Sequence, residues 1–351
     1  MGSLFYKRSK NFTPDFQNII HVLTRKTINM PTLFEFALND DLVDRLTGNI
    51  NVDRQDKLAI FKKNIRAFEN AGYDYTTISG WRTDTLIFPK SNAEKKETVS
   101  MNAGSIITDH ESFEKYSWPN PDNSNYDIYY DLKSDLPDGM KLIASGNGGI
   151  LENVIELVGF ENLCLLSILD EDLTTKIFDA VGSRFLRYYE IVSSIETIGA
   201  CIVNDDWGFK NQTILSPEML RKWVFPWHRK IVEAIHDAGK YAILHSCGQL
   251  KDVMADVIEY MKYDAKHSFE DLILPVEEAY ELYSSRIAIL GGIDVDFLSR
   301  SSVEAITNRS LLLLEKTIDR NGYALGSGNS IPNYIPDEKY IAMISAVNLI
   351  L

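Results

Sequence analysis

The chain has 351 residues, 45% hydrophobic and 25% charged, the proportions of a folded globular protein with room for one large α/β domain or two small ones. Its 50 acidic side chains outnumber 36 basic ones and leave a formal charge of −14. That balance argues against a nucleic-acid or anionic-membrane binder, because neutralising phosphate takes a basic surface. Three scattered cysteines cannot frame a disulfide scaffold, MGSLFYKRSK carries no apolar leader core, and no apolar stretch approaches the ~18 residues of a membrane helix, so a cytoplasmic protein is expected.

In chain order, short β-branched or aromatic runs ending in polar and Gly residues alternate with longer stretches of helical period. The predicted strands are PTLFEF (31–36), YDYTTIS (73–79), MKLIAS (140–145), ACIVND (200–205), YAILHS (241–246), YDAKHS (263–268), RIAILGG (286–292) and GYALGS (322–327). A polar, turn-rich interval runs from Lys90 to Leu136. Ser216 is predicted to cap a helix with Pro217 at its first position and Gly239 to end it, with a kink at Pro226 between. Ser301 and Glu304 have capping-box spacing before another helix. Eight βα units at about 30 residues each predict an α/β protein, a (β/α)8 TIM barrel, as a single domain over 1–351 with an N-terminal helical extension.

In such a barrel the chemistry sits where strands run out into βα loops. The sharpest signal is LHSCG: His245 and Cys247, two apart at a strand end, share a face, and imidazole with thiolate is a zinc pair that needs a third ligand. A packed histidine beside a buried free thiol would read the same way. In NDDWG, alternation places Asp205 on the face of Cys201 and Val203, looking into the barrel mouth, with Asp206 opposite. There Asp205 could act as a general acid or base, a cation partner or a metal ligand, or else cap the next loop. KHSFED adds His267, Glu270 and Asp271, enough to complete a His, Cys, carboxylate set. Arg82, Asn147, Trp207 and Asn329 are the candidate substrate-binding residues. GNGG at 146–149 could bind an anion at a helix N-terminus. Cys164 and Cys201 read as core.

The segments NDDWGFKNQTILSPEMLRKWVFPWHRKI, AGKYAILHSCG, DAKHSFED, GGIDVDFL and ALGSGNSIPNYIP together resemble the uroporphyrinogen decarboxylase superfamily. The resemblance implies a (β/α)8 barrel with its cleft at the C-terminal face. It also implies one of two chemistries: cofactor-free decarboxylation, or zinc-dependent methyl transfer involving a corrinoid carried by a small partner protein. PTLFEFALNDD lacks the Arg-rich segment of the decarboxylases, and the candidate loops offer only Arg82, Lys210 and Lys266 to a polycarboxylate. The methyltransferase branch fits His245 and Cys247 as metal ligands, but GSGNSIP has no cysteine where the family places its third. Asp205, His267 or Glu270 would have to replace it, or the zinc site is lost. The expectation is a methyltransferase, with Asp205, His267 and Glu270 as the catalytic candidates; a decarboxylase or other metal-free lyase is the alternative.

Overall fold

The computed structural model describes residues 6, 8, 12–28, 30–89 and 105–350, so the stretch 90–104 of the predicted turn-rich interval lies outside the described residues. Seven strands form one parallel sheet in chain order: β1 (Tyr75–Ser79), β2 (Lys141–Ser145), β3 (Ile198–Asn204), β4 (Tyr241–His245), β5 (Ala265–His267), β6 (Ala288–Leu290) and β7 (Tyr323–Ala324). Their residues are buried on both faces, as a parallel sheet covered by crossover helices requires, which is why they read as apolar runs such as AIL.

The eighth predicted run, 31–36, is extended beside β7 but forms a bridge rather than a strand. Leu33 pairs in parallel with Leu325, the Phe34 N–H donates to the Leu325 carbonyl (2.8 Å), and the Leu325 N–H donates to Thr32 (2.8 Å). Toward β1 the contact is made by a side chain. The Tyr75 hydroxyl accepts from the Glu35 N–H (2.6 Å) and donates to the Glu35 carbonyl (2.8 Å), taking both backbone groups that a ladder would have used. The architecture is thus a TIM-type α/β barrel closed on one side by a tyrosine.

The helix signals hold, with one shift. Ser216 accepts from the Met219 N–H and Gly239 ends the helix Phe225–Asp237 at φ +71°. Pro226 sits in that helix's first turn, and a π turn, Leu220–Val224, precedes it where the regular ladder is interrupted. The helix Val303–Thr317 is capped by Ser302, which accepts from the Ala305 N–H, and not by Ser301, which already ends the helix Val295–Arg300. Cys201 is fully buried in β3, whereas Cys164 is only half-buried on the helix Phe160–Leu169 and does not belong to the core. Among the described residues no helix is long and apolar enough to cross a membrane.

A candidate metal centre at the barrel mouth

His245 is the last residue of β4, in register with Asn204 of β3 and His267 of β5. Side chains in register on parallel strands point the same way, so the two imidazoles meet, Nδ1 to Nδ1 at 2.8 Å. His267 Nε2 lies 3.1 Å from the Ser327 carbonyl. A carbonyl can only accept, so His267 carries its hydrogen on Nε2 and accepts through Nδ1. His245 must then donate from Nδ1, which leaves its Nε2 as a bare lone pair. Burial pushes both imidazoles well below their ordinary value, His267 to about 3, and keeps both neutral as this chain requires. Phe36 stacks on His245 at 4.4 Å and covers one face of the ring.

The freed Nε2 lies 3.8 Å from Cys247 Sγ, and the Asp206 carboxylate joins them: one donor atom from each of the three residues falls within 4.8 Å of the others. Asp206 is held there because its Oδ1 accepts the Cys247 N–H (2.8 Å). Two glycines permit that approach. Gly248, at φ +82°, and Gly208 touch backbone to backbone, and a Cβ on either would collide with the other loop. Ser268 Oγ (3.3 Å) and Asn329 Nδ2 (3.4 Å) both donate to Cys247 Sγ. Ser268 has φ +86°, and its carbonyl is held in that strained turn by the buried ammonium of Lys266.

Burial, followed by the neighbouring Asp206 charge, pushes the Cys247 thiol up to about 12, and burial raises Asp206 as well. A half-buried thiol and carboxylate beside a free imidazole lone pair form a donor set that a divalent cation would complete, since its charge would favour the thiolate. Imidazole, thiolate and carboxylate are all zinc ligands, so the residues present fit that metal.

The other sequence candidates are distributed unevenly. Asp205 is a correction. It does not look into the mouth but is fully buried on the helical side, where it accepts from the amides of Leu151 (3.0 Å) and Glu152 (3.2 Å) and from His228 Nε2 (2.9 Å). The pleat continues past Asn204, with the Asp205 N–H donating to the His245 carbonyl (3.0 Å), and because Asn204 is in register with the inward-pointing His245, alternation carries Asp205 to the helical side together with Cys201 and Val203. Asp205 is also the anion at the helix N-terminus following GNGG, which leaves no vacancy there for a ligand. Trp207 is fully buried against Phe225 and His228 and faces no cleft. Arg82 pairs with Asp40 (2.8 Å) and lines a different cavity, of ≈ 600 Å³, with Trp81. Asn147 lies in the loop after β2, its carbonyl accepting from Asn153. Glu270 is exposed beside Cys247, and Asn329 touches the sulfur.

Two groups escaped the sequence reading. Asp206 is half of an Asp doublet that strand parity assigned the wrong way round. Glu35 is fully buried in the apolar run PTLFEF, where an acid is itself a signal; it accepts from the Ser327 N–H (3.2 Å) and Oγ–H (2.6 Å), and burial raises it to about 8. Glu35 and Ser327 thereby extend the His267–His245 chain across the barrel.

Cys247 opens into a cleft of ≈ 730 Å³ lined by loops after β5, β6 and β7. A parallel α/β barrel whose strand ends gather an imidazole, a thiol and a carboxylate under an open cleft defines the class: a TIM barrel with a candidate catalytic metal centre. Within that class the chain belongs to the uroporphyrinogen decarboxylase (URO-D) family, whose profile matches residues 94–349, more than half of its length. A solved structure described as a methyltransferase from Methanosarcina mazei superposes with a TM-score of 0.71 at 13% identity, covering 95% of this chain and 98% of that one. A putative vitamin-B12 independent methionine synthase from Listeria monocytogenes aligns at a TM-score of 0.47 and 12% identity, covering 97% and 99%. At 13% identity the likeness to the Methanosarcina structure is one of fold. No curated protein matches the chain.

Proposed function

We propose that the chain is a metal-dependent methyltransferase of the URO-D family. It would work as one barrel domain in the cytoplasm and pass a methyl group between a small thiol substrate and a corrinoid held by a separate small protein. The observation that carries this reading is the convergence of His245 Nε2, Cys247 Sγ and the Asp206 carboxylate at the floor of the cleft. A zinc ion in that donor set would act as a Lewis acid, lowering a substrate thiol's pKa so that it is a nucleophilic thiolate at neutral pH. With three protein ligands, a zinc ion there would keep an open position for substrate. His267 orients His245, while Ser268 and Asn329 spread the charge of Cys247 by donating to its sulfur. Phe36 keeps water from one face of the imidazole.

The likeness in fold to a methyltransferase accords with this reading. Decarboxylation of a polycarboxylate ranks second because it needs convergent cations. Arg82 is engaged with Asp40 in another cavity, and Lys266 is committed to backbone carbonyls. Metal analysis of protein purified without chelator tests the proposal. About one zinc per chain is expected, falling to near zero in His245→Ala and Cys247→Ser; wild-type protein without stoichiometric metal would sink it.

A further inference from the structure

The helix Lys57–Ala71 buries a face made of Phe61, Ile65, Phe68 and Ala71, and an asparagine stands in that face. Asn64 is only 8% exposed, yet its carboxamide makes no hydrogen bond among the described residues. Neither of its polar atoms is sealed off, so both open into the ≈ 600 Å³ cavity whose wall Asn64 helps to form, between this helix, the helix Asp40–Leu46 and the loop after β1. A donor and an acceptor left open on a buried helix face cost stability that an apolar side chain would not. The cavity has the volume of small-molecule pockets, about 300–1,000 Å³, and Val43, Ile60, Phe61 and Trp81 give it apolar walls. Trp81 is held by the Arg82 guanidinium over its ring (4.8 Å) and remains 56% exposed. The ions around the cavity are already matched: Arg82 pairs with Asp40 (2.8 Å), Lys63 with Asp44 and Lys57 with Asp84, and Arg54 stands in the chain between Asp53 and Asp56. No charge there calls for a counter-ion, and the group left without a partner is the Asn64 carboxamide.

We propose that this cavity is a second binding site, for a small uncharged heterocycle of nucleobase type, with a donor–acceptor edge on Asn64 and the ring against Trp81. A carboxamide matches an edge that offers one donor beside one acceptor, the pairing by which asparagine reads adenine. The cavity adjoins β1, whereas the metal donors stand at the ends of β3 and β4, so the inference does not rest on the metal–thiol reading.

Equilibrium dialysis of adenosine, guanosine, cytidine and uridine against the full chain tests it. At least one should bind saturably, with about one site per chain. The N-methylated form of the tightest, its edge donor blocked, should bind about tenfold more weakly, and that ratio should fall to about one in Asn64→Leu. Asn64→Leu should melt no lower than wild type, since it removes a polar group that has no partner, so a loss of binding there is not a loss of fold. Should it nevertheless fold poorly, Trp81→Ala, at an exposed position, should weaken the tightest nucleoside about tenfold. Binding of none of the four, a ratio that Asn64→Leu leaves unchanged, or an affinity indifferent to Trp81→Ala overturns the proposal. The zinc content of the same protein decides the metal–thiol reading separately.

Discussion

His245 can offer Nε2 to a metal only while its hydrogen stays on Nδ1, and the group that keeps it there is His267, fixed in turn by the Ser327 carbonyl. Outer-shell partners of this kind are worth about 10–100-fold in metal affinity. His267→Ala should therefore weaken zinc binding by about that factor in a chelator competition. His267→Gln, whose amide oxygen can still accept the Nδ1–H, should recover part of it. Equal affinity in wild type and His267→Ala would show that the tautomer is held by something else. Glu35 sits at the far end of the same chain and has a pH signature. Its folded value of about 8 lies above the ordinary 4.5, so the folded state keeps a proton that the unfolded chain gives up between those values. The stability that this provides is complete below about pH 4.5 and is lost as the pH rises toward 8, by at most ~1.4 kcal/mol per pH unit. Glu35→Gln removes the titration while keeping an oxygen for the Ser327 N–H. Its urea midpoint should match wild type near pH 5 and exceed it near pH 8.5; midpoints that stay parallel across that range would refute the assignment.

At the scale of elements, the end of β3 hands two adjacent aspartates to opposite tasks. Asp205 caps the helix Ile150–Val158 and takes a hydrogen bond from His228, whose other nitrogen meets the Tyr263 hydroxyl at 2.7 Å. Asp205→Ala strips two helix amides and a buried imidazole of their acceptor and should cost about 3 kcal/mol in urea unfolding. Asp206→Ala should leave the metal-free protein within about 1 kcal/mol of wild type and yet abolish zinc retention. Interchanged results would return the ligand role to Asp205. The strands were legible because buried parallel strands are rich in apolar and β-branched residues; six of the eight predicted runs contain the observed strand and a seventh, 200–205, overlaps β3. Alternation rightly grouped Asp205 with Cys201 and Val203, but which face of β3 looks into the barrel was not legible, because it is fixed by the register of Asn204 with His245 on the neighbouring strand. The run 31–36 reads as a strand from its residues, but its partner on the β1 side is the Tyr75 hydroxyl, a choice no local pattern records.

For the whole molecule, a metal held between the ends of β3 and β4 would add a tie to two βα loops that already meet through the Gly208–Gly248 contact, the Cys247 N–H bond to Asp206 and the Gln249 N–H bond to the Phe209 carbonyl (2.8 Å). A ligand that binds only the folded chain stabilises it by about 2.7 kcal/mol at a hundred times its Kd. Zinc should thus raise the melting temperature of chelator-treated protein by a few degrees, and should do nothing to Cys247→Ser; an unchanged melting temperature in wild type would contradict a folded-state site. The alternation of apolar runs and helical stretches was enough by itself to determine a parallel α/β barrel. With it came the position of His245 and Cys247 at the mouth, because strand order and direction follow from local pattern and chain connectivity. Tertiary structure alone decided which carboxylate faces them, that Trp207 is packed inside, that Arg82 serves another cavity, and that His267 and Glu35 stand behind the site. Each of these depends on which face of a strand looks inward or on contacts between residues far apart in the chain, and neither is written in residue type or spacing.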